Sequence, residues 1–367
     1  MKLKNICEIT SSKRIYASEY TKYGIPFYRS KEIIELANGS TPSLELFISQ
    51  EKFNEIKMKF DVPQINDILL TAVGTLGVSY LVKDDKFYFK DGNLMWFKNI
   101  KNNVLPKYLF YYFNSSIFKN NLNTISIGST QKALTIDKVK EIEVNIPNIS
   151  IQQHIVDTIG SIDDLIENYN KIITKSLSYG DLLMNKIISN SYEFDDLNKY
   201  ISFERGTEPG SMNYTDINDK STIRFLRVAD LESLTNTFIP LEKSNNKIAN
   251  IFNILISFDG SLGRIAIGLN GCYSSGIRKV VINSSNYSSG YYYFLLKNDY
   301  IQNIIEEHST GTTIKHASKA IEYLKMPISN INYNKDFDAL YNNIINYKIK
   351  INELIKLKNK YLQKFFG

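Results

Sequence analysis

Two short segments place backbone amides, hydroxyls and an ammonium together at a turn. Gly128-Ser129-Thr130-Gln131-Lys132-Ala133-Leu134 and Gly311-Thr312-Thr313-Ile314-Lys315-His316-Ala317 each read glycine, two hydroxyl residues, then a lysine two positions beyond. At the start of a short helix, that arrangement suits a phosphate oxyanion. It equally suits plain N-capping, in which Ser or Thr stabilises a helix by about 1 kcal/mol without any ligand. Ser129, Thr130, Gln131, Lys132, Thr312, Thr313 and Lys315 are therefore candidate phosphate contacts, and the lysine at one offset in both copies favours that reading. Further basic residues extend the footprint: Lys13, Arg14, Arg29 and Lys31 in the first half, and Arg205, Arg224, Arg227, Arg264, Arg278 and Lys279 in the second. Arg224 and Arg227 flank Phe225-Leu226 in a strand-like run, so both can project from one edge. Arginine can read guanine through a bidentate pair, whereas lysine mostly anchors phosphates. Any one of these side chains is equally at home as solvated surface; the set is the stronger signal.

Residue patterns for bond-making chemistry are missing from the sequence. There is no GxxxxGK[ST] phosphate loop, no GxSxG elbow, no HExxH and no Asn-Pro-Pro-aromatic tetrad of the kind placed against a flipped base. His154 falls at the start of a helical pattern, while His308 and His316 flank the Gly311 turn without a carboxylate or cysteine at ligand spacing. No catalytic residue and no metal ligand set is expected. Cys7 and Cys272 lie at unrelated places without CxxC spacing, which argues against a disulfide framework or structural zinc. Val73-Gly74-Thr75-Leu76-Gly77 and Asp259-Gly260-Ser261-Leu262-Gly263 have glycines three apart after an apolar strand, but lack the full dinucleotide fingerprint. A tight hairpin turn, with glycine supplying positive φ, is the simpler reading.

What positions these segments is a duplication. The two glycine turns, the two Gly-hydroxyl segments and the two later Ile146-Pro147 and Met326-Pro327 pairs recur at offsets of 186, 183 and 180 residues, measured from Gly74 to Gly260, Gly128 to Gly311 and Pro147 to Pro327. Each copy is too long to be a solenoid unit and can fold around its own core. In each, short β-branched and aromatic runs punctuated by Gly, Asn and Asp precede a tyrosine-rich helix, Pro106 to Phe113 or Gly290 to Leu296, which indicates an α+β domain. After each domain the apolar period lengthens to between three and four. Ile155, Ile159, Ile162, Ile166, Tyr169 and Ile173 form one stripe, in a helix expected to reach about Ile188 with Gly180 as a point of bending. Leu340, Ile344, Tyr347, Ile351, Leu354, Tyr361 and Phe365 form another, interrupted where Lys358 takes a seam position. At 1.5 Å per residue each helix is roughly 45 to 55 Å long, and a narrow stripe between charged faces calls for a partner helix. The other possibility is that each helix folds back on its own domain as core.

The expected architecture is α+β: a pseudo-twofold internal repeat of two similar domains, 1–150 and 191–332, separated by an antiparallel pair of long helices, 151–190 and 333–367. Such a rod acts as a ruler between two heads. At 367 residues with 43% hydrophobic content the chain is globular, and its net charge of +6 fits a polyanionic partner without requiring one. Met1 to Asn5 lacks a signal-peptide core and no run approaches eighteen apolar residues, so a soluble, cytoplasmic protein is expected, with no membrane partner.

The repeated order of strand, Gly-x-x-Gly turn, tyrosine-rich helix, Gly-Ser-Thr turn, Ile-Pro and long helix resembles the specificity subunit of type I restriction-modification systems. The strongest patch is Ile146-Pro147-Asn148-Ile149-Ser150-Ile151-Gln152-Gln153-His154-Ile155-Val156, which looks like that family's entry into its central helix; the second copy, Pro327 to Phe337, has lost the glutamine. The resemblance implies two target recognition domains, each reading half of a split double-stranded DNA sequence. It implies conserved helices that hold methyltransferase (modification) subunits and, through them, a restriction or translocase subunit. S-adenosylmethionine, ATP and magnesium would then belong to those partners, with no cofactor in this chain. The rival from another class is a non-catalytic protein-binding scaffold with paired domains on a helical rod.

Overall fold

The structure, a computed structural model, describes residues 1–83, 86–126, 132–311, 315–328 and 333–367. It divides into two compact units: Met1–Glu167 with Leu354–Gly367, and Asn168–Glu353. Both long helices are thus shared, because their buried faces complete the core of each unit.

In the first unit the order is β1 (Glu8–Thr10), β2 (Tyr20–Thr21), β3 (Ile25–Tyr28), α1 (Ser30–Ala37), β4 (Phe47–Ile48), α2 (Gln50–Lys59), β5 (Ile68–Thr71), β6 (Ser79–Leu81), β7 (Tyr88–Phe89) and β8 (Leu94–Lys98). Helices α3 (Pro106–Asn114), α4 (Ser116–Ile125), α5 (Ile136–Lys140) and the long α6 (Ile149–Asn190) follow. One antiparallel sheet runs β1-β8-β5-β6; a second runs β2-β4-β3-β7, with β3 and β7 parallel. Strand β5 is apolar on consecutive positions because both its faces are covered. Ile68 and Leu70 join the cluster around Phe113 of α3, while Leu69 joins Trp96 and Phe89.

The second unit repeats the plan with β9 (Phe194–Asp196), β10 (Ile201–Arg205), β11 (Thr222–Leu226), β12 (Phe238–Pro240), β13 (Ile248–Ala249), β14 (Leu255–Ser257), β15 (Ile265–Ala266), β16 (Gly271–Tyr273) and β17 (Ile277–Ile282). Then come α7 (Ser289–Lys297), α8 (Asp299–Glu307), β18 (Lys325–Pro327) and α9 (Asn334–Phe366). Its antiparallel sheet, β10-β17-β14-β15, has the strand order of the first unit's. Its second sheet, β12-β11-β16-β13, again contains one parallel pair, β11 with β16.

The two long helices run antiparallel to each other within each unit. In the first, His154 meets the Phe365 ring and Lys358 bonds Asp163 at 2.6 Å; in the second, Tyr169 and Tyr347 pack with centroids 5.0 Å apart. Lys358, the break in the apolar stripe, therefore has an acidic partner on the facing helix. Ile155, Ile159, Ile162, Ile173 and Ile344 are buried; Ile166, Tyr169, Leu340, Tyr347, Ile351, Leu354 and Tyr361 are half-buried. The apolar face of α9 is broader than the stripe read from the sequence. Phe337, Tyr341 and Ile345 are buried in the second unit's core, and Leu362 and Phe366 in the first's. The helices thus serve both as each other's partners and as core, and the unit boundaries, after Glu167 and Glu353, fall inside them.

Helix α6 is unbroken through Gly180. This glycine answers a packing demand: the ring of Phe294, in α7, lies where a Cβ on Gly180 would stand.

Candidate nucleic-acid interface

Segments far apart in sequence meet at one loop cluster in each unit, and they meet by the same hydrogen bonds. After β5, the Gly74 N–H donates to Lys132 O at 3.3 Å and the Leu134 N–H to Ala72 O at 2.9 Å. After β14, the Gly260 N–H donates to Lys315 O at 2.8 Å and the Ala317 N–H to Phe258 O at 2.8 Å. The turns themselves match. Gly77 N–H reaches Thr71 O and Gly263 N–H reaches Ser257 O, both at 2.9 Å, while the hydroxyls of Thr71 and Ser257 accept from Val78 and Arg264 N–H. Gly74, Gly77, Gly260 and Gly263 all have φ between 70° and 78°, a left-handed backbone that glycine adopts without penalty. The loop before the last strand joins each cluster, with Ala72 N–H on Asn93 O and Phe258 N–H on Gly276 O.

The arginine after the parallel strand is also duplicated, which the sequence offsets concealed. Arg29 N–H donates to Glu32 at 2.8 Å, and Arg227 N–H donates to Asp230 at 2.8 Å; both carboxylates are buried. The same acids face the guanidinium groups, Arg29 bonding Glu32 at 2.5 Å and Arg227 lying 3.5 Å from Asp230. Arg29 also bonds Glu45, and Arg227 reaches the Thr235 hydroxyl at 3.0 Å.

Most other basic residues of the expected footprint are similarly engaged. Lys31 pairs with Glu45 at 2.9 Å, Arg14 with Asp91 at 3.0 Å, Arg264 with Glu232 at 2.9 Å, and Lys315 with Glu306. Lys279 pairs with Glu204 at 2.6 Å; with Lys247 on the other oxygen, this holds the Glu204 carboxyl down at about 2. Arg278 is buried, and that burial lowers its pKa despite Asp259 nearby. Arg224 donates to Thr235 O and lies over the Phe238 ring at 4.8 Å, so Arg224 and Arg227 converge on one threonine. Besides Arg224, three cations of the footprint have no carboxylate partner among the described residues. Arg205 touches only Ser275 O, at 3.3 Å, Lys13 lies 4.6 Å from the Phe60 ring centre, and the Lys132 side chain is exposed. Ser129, Thr130, Gln131, Thr312 and Thr313 lie outside the described residues.

Sequence reasoning missed the partner of His316. Its Nδ1 is 2.6 Å from an oxygen of Asp259, fifty-seven positions away, a contact made only when the two repeated segments are brought together. His308 stacks on Tyr323 and His154 packs against Phe365. Cys7 and Cys272 are free and buried, and burial pushes both thiols up to about 12, away from reactive thiolate. Among the described residues there is no group of three metal-binding side chains, and no helix is long and apolar enough to cross a membrane.

Comparison with known proteins bears on residues and fold separately. Residues 1–175 match the family described as type I restriction modification DNA specificity domain. A putative type I restriction enzyme specificity subunit of Haemophilus influenzae is 31% identical over 178 residues, covering 48% of this chain and 42% of that protein. The specificity subunit of a type I restriction enzyme of Methanocaldococcus jannaschii is 29% identical over 174 residues, covering 46% of this chain and 39% of that one. The matched part thus spans less than half the length of these relatives. The crystal structure of a type I restriction-modification system S subunit from M. genitalium covers 100% of this chain and 95% of its own, with a TM-score of 0.59 at 15% identity. At that identity the likeness is one of fold.

Proposed function

We propose that this chain, whose residues 1–175 match the type I restriction modification DNA specificity domain family, is the DNA-reading subunit of such a complex. Each unit reads one half of an asymmetric, two-part duplex sequence. The paired helices set the number of unread base pairs between the halves, and methyl transfer and cleavage belong to partner chains. S-adenosylmethionine, ATP and magnesium are used there.

The observation that carries this reading is the duplicated loop cluster, built by the same backbone hydrogen bonds on sheets of the same strand order. A rigid sheet bearing loops with differing side chains is how one scaffold reads different bases. The two units keep the frame and differ in the loop residues, so their half-sites differ. Helix α6 leaves Ile172, Tyr179 and Leu182 exposed by 38%, 56% and 67%. These three, spaced by seven and three residues, form an apolar strip suited to a helix of a methyltransferase subunit.

Electrophoretic binding to duplex DNA across a salt series tests the anchoring. Among the described residues Lys132 has no acidic partner to lose, so Lys132→Ala should weaken binding to all sequences alike and lower the salt slope by about one. Lys315→Ala should do less, since Glu306 already competes for that ammonium. An unchanged slope for Lys132→Ala would remove it from the phosphate contacts.

A further inference from the structure

One pair of ladder positions differs in kind between the repeats. Val73 and Ala133 face each other across an antiparallel bridge in the first unit; Asp259 and His316 occupy the same bridge in the second. Where the first pair has only apolar side chains, the second joins an imidazole to a carboxylate, with His316 Nδ1 2.6 Å from Asp259 Oδ1. Behind Asp259 stands Arg278, only 5% exposed, its guanidinium 3.5 Å from Asp259 Oδ2. Arg278 is itself fixed, donating to Ser275 O at 2.6 Å and to the Ser318 hydroxyl at 3.0 Å. The backbone of His316 is clamped as well, exchanging hydrogen bonds of 2.8 and 2.9 Å with Thr310.

At the end of this chain of contacts the imidazole is open. The His316 side chain is 58% exposed while Asp259 is 17% exposed, and among the described residues Nε2 has no partner. A ring tied at Nδ1 and free at Nε2 is an oriented hydrogen-bonding group whose rotamer freedom is already lost in the free protein. Such preorganisation lowers the entropic cost of engaging a ligand.

Resting on the DNA-reading role proposed above, we propose that His316 is a base-reading residue of the second unit, its Nε2 hydrogen-bonding to a base edge, with Asp259 and Arg278 as positioning residues. The first unit, with Val73 and Ala133 at the equivalent place, offers no hydrogen bond there. The two half-sites are therefore read by different chemistry at one shared position of the fold.

The test uses the full chain purified from its native cell, so that bound subunits stay attached, and a duplex library of random sequence whose bound fraction is sequenced. The wild type should return a two-part motif. His316→Ala should lose preference at one base position in one half, by roughly five- to tenfold, with the other half and the salt slope unchanged. Asp259→Asn, which keeps the shape of the side chain, should weaken the same position. A purely structural role for the pair would instead lower binding to every sequence and leave the motif intact. Unchanged preference in His316→Ala overturns the proposal. Uniform weakening with a smaller salt slope also overturns it, marking a phosphate contact instead. A wild type that returns no motif overturns the DNA-reading role itself.

Discussion

Gly180→Ala should destabilise the second unit by about 2 to 3 kcal/mol, although the same change in an exposed helix interior stabilises by roughly 1 kcal/mol. The sign follows from geometry. A Cβ at Gly180 would lie 2.6 Å from Phe294 Cδ1 and closer still to Cε1 and Cζ. Phe294 is fully buried and packs against Phe337 with centroids 5.5 Å apart, so its ring has nowhere to move. In the same helix, a Cβ at Gly160 would lie 3.3 Å from the Lys107 ammonium and 3.6 Å from the Tyr111 hydroxyl. A flexible lysine end gives way cheaply, so Gly160→Ala should be neutral or mildly stabilising. Urea unfolding of the full chain reads both variants. A gain in midpoint for Gly180→Ala would mean that the close approach of α6 and α7 is not a constraint.

Gln152→Ala should cost the first unit about 3 kcal/mol, a fall in Tm on the order of 10 °C by calorimetry. Gln152 is fully buried at the start of α6 and its amide makes three bonds. It accepts from the Leu105 N–H at 2.8 Å and donates to Asn103 O at 2.9 Å and Pro147 O at 2.8 Å. Removing it takes away the partner of the Leu105 N–H, Asn103 O and Pro147 O at once, and leaving these part-buried groups unpaired dominates the loss. Asn334 does the corresponding work at the start of α9, accepting from Ser288 N–H at 3.2 Å and donating to Asn286 O at 3.0 Å. It is only half-buried, so Asn334→Ala should cost about 1 kcal/mol. Equal losses from the two variants would contradict this account of the helix entry.

The second copy's missing glutamine is thus a substitution of amide for amide, hidden because the shorter side chain sits elsewhere in the aligned segment. Such cases mark the boundary of what could be read from residues alone. The duplication, the glycine turns and the long helices were legible, since each leaves a periodic or repeated local signature. Contacts between segments left none. Nothing local to Asp259 announces His316, and nothing local to Arg29 or Arg227 announces that each is held by a buried acid three residues on and then by a second loop. Counting basic residues consequently overstated the cations available to a ligand, because Lys31, Arg264, Lys279 and Lys315 each face an acid folded in beside them. The breadth of α9's buried face was missed for a related reason. Tyr341 flanks the apolar stripe, and the ring packed against it, Tyr293, lies forty-eight positions away in the sequence.

On the proposed reading, two copies of one frame are two readers of one split sequence. A map of methylated bases in the native genome, made with and without this gene, tests it most directly. Loss of the gene should erase methylation at an asymmetric target of two short specified parts separated by a fixed unread gap, and leave other methylated motifs untouched. An unchanged map, or the loss of a single continuous motif, would contradict it.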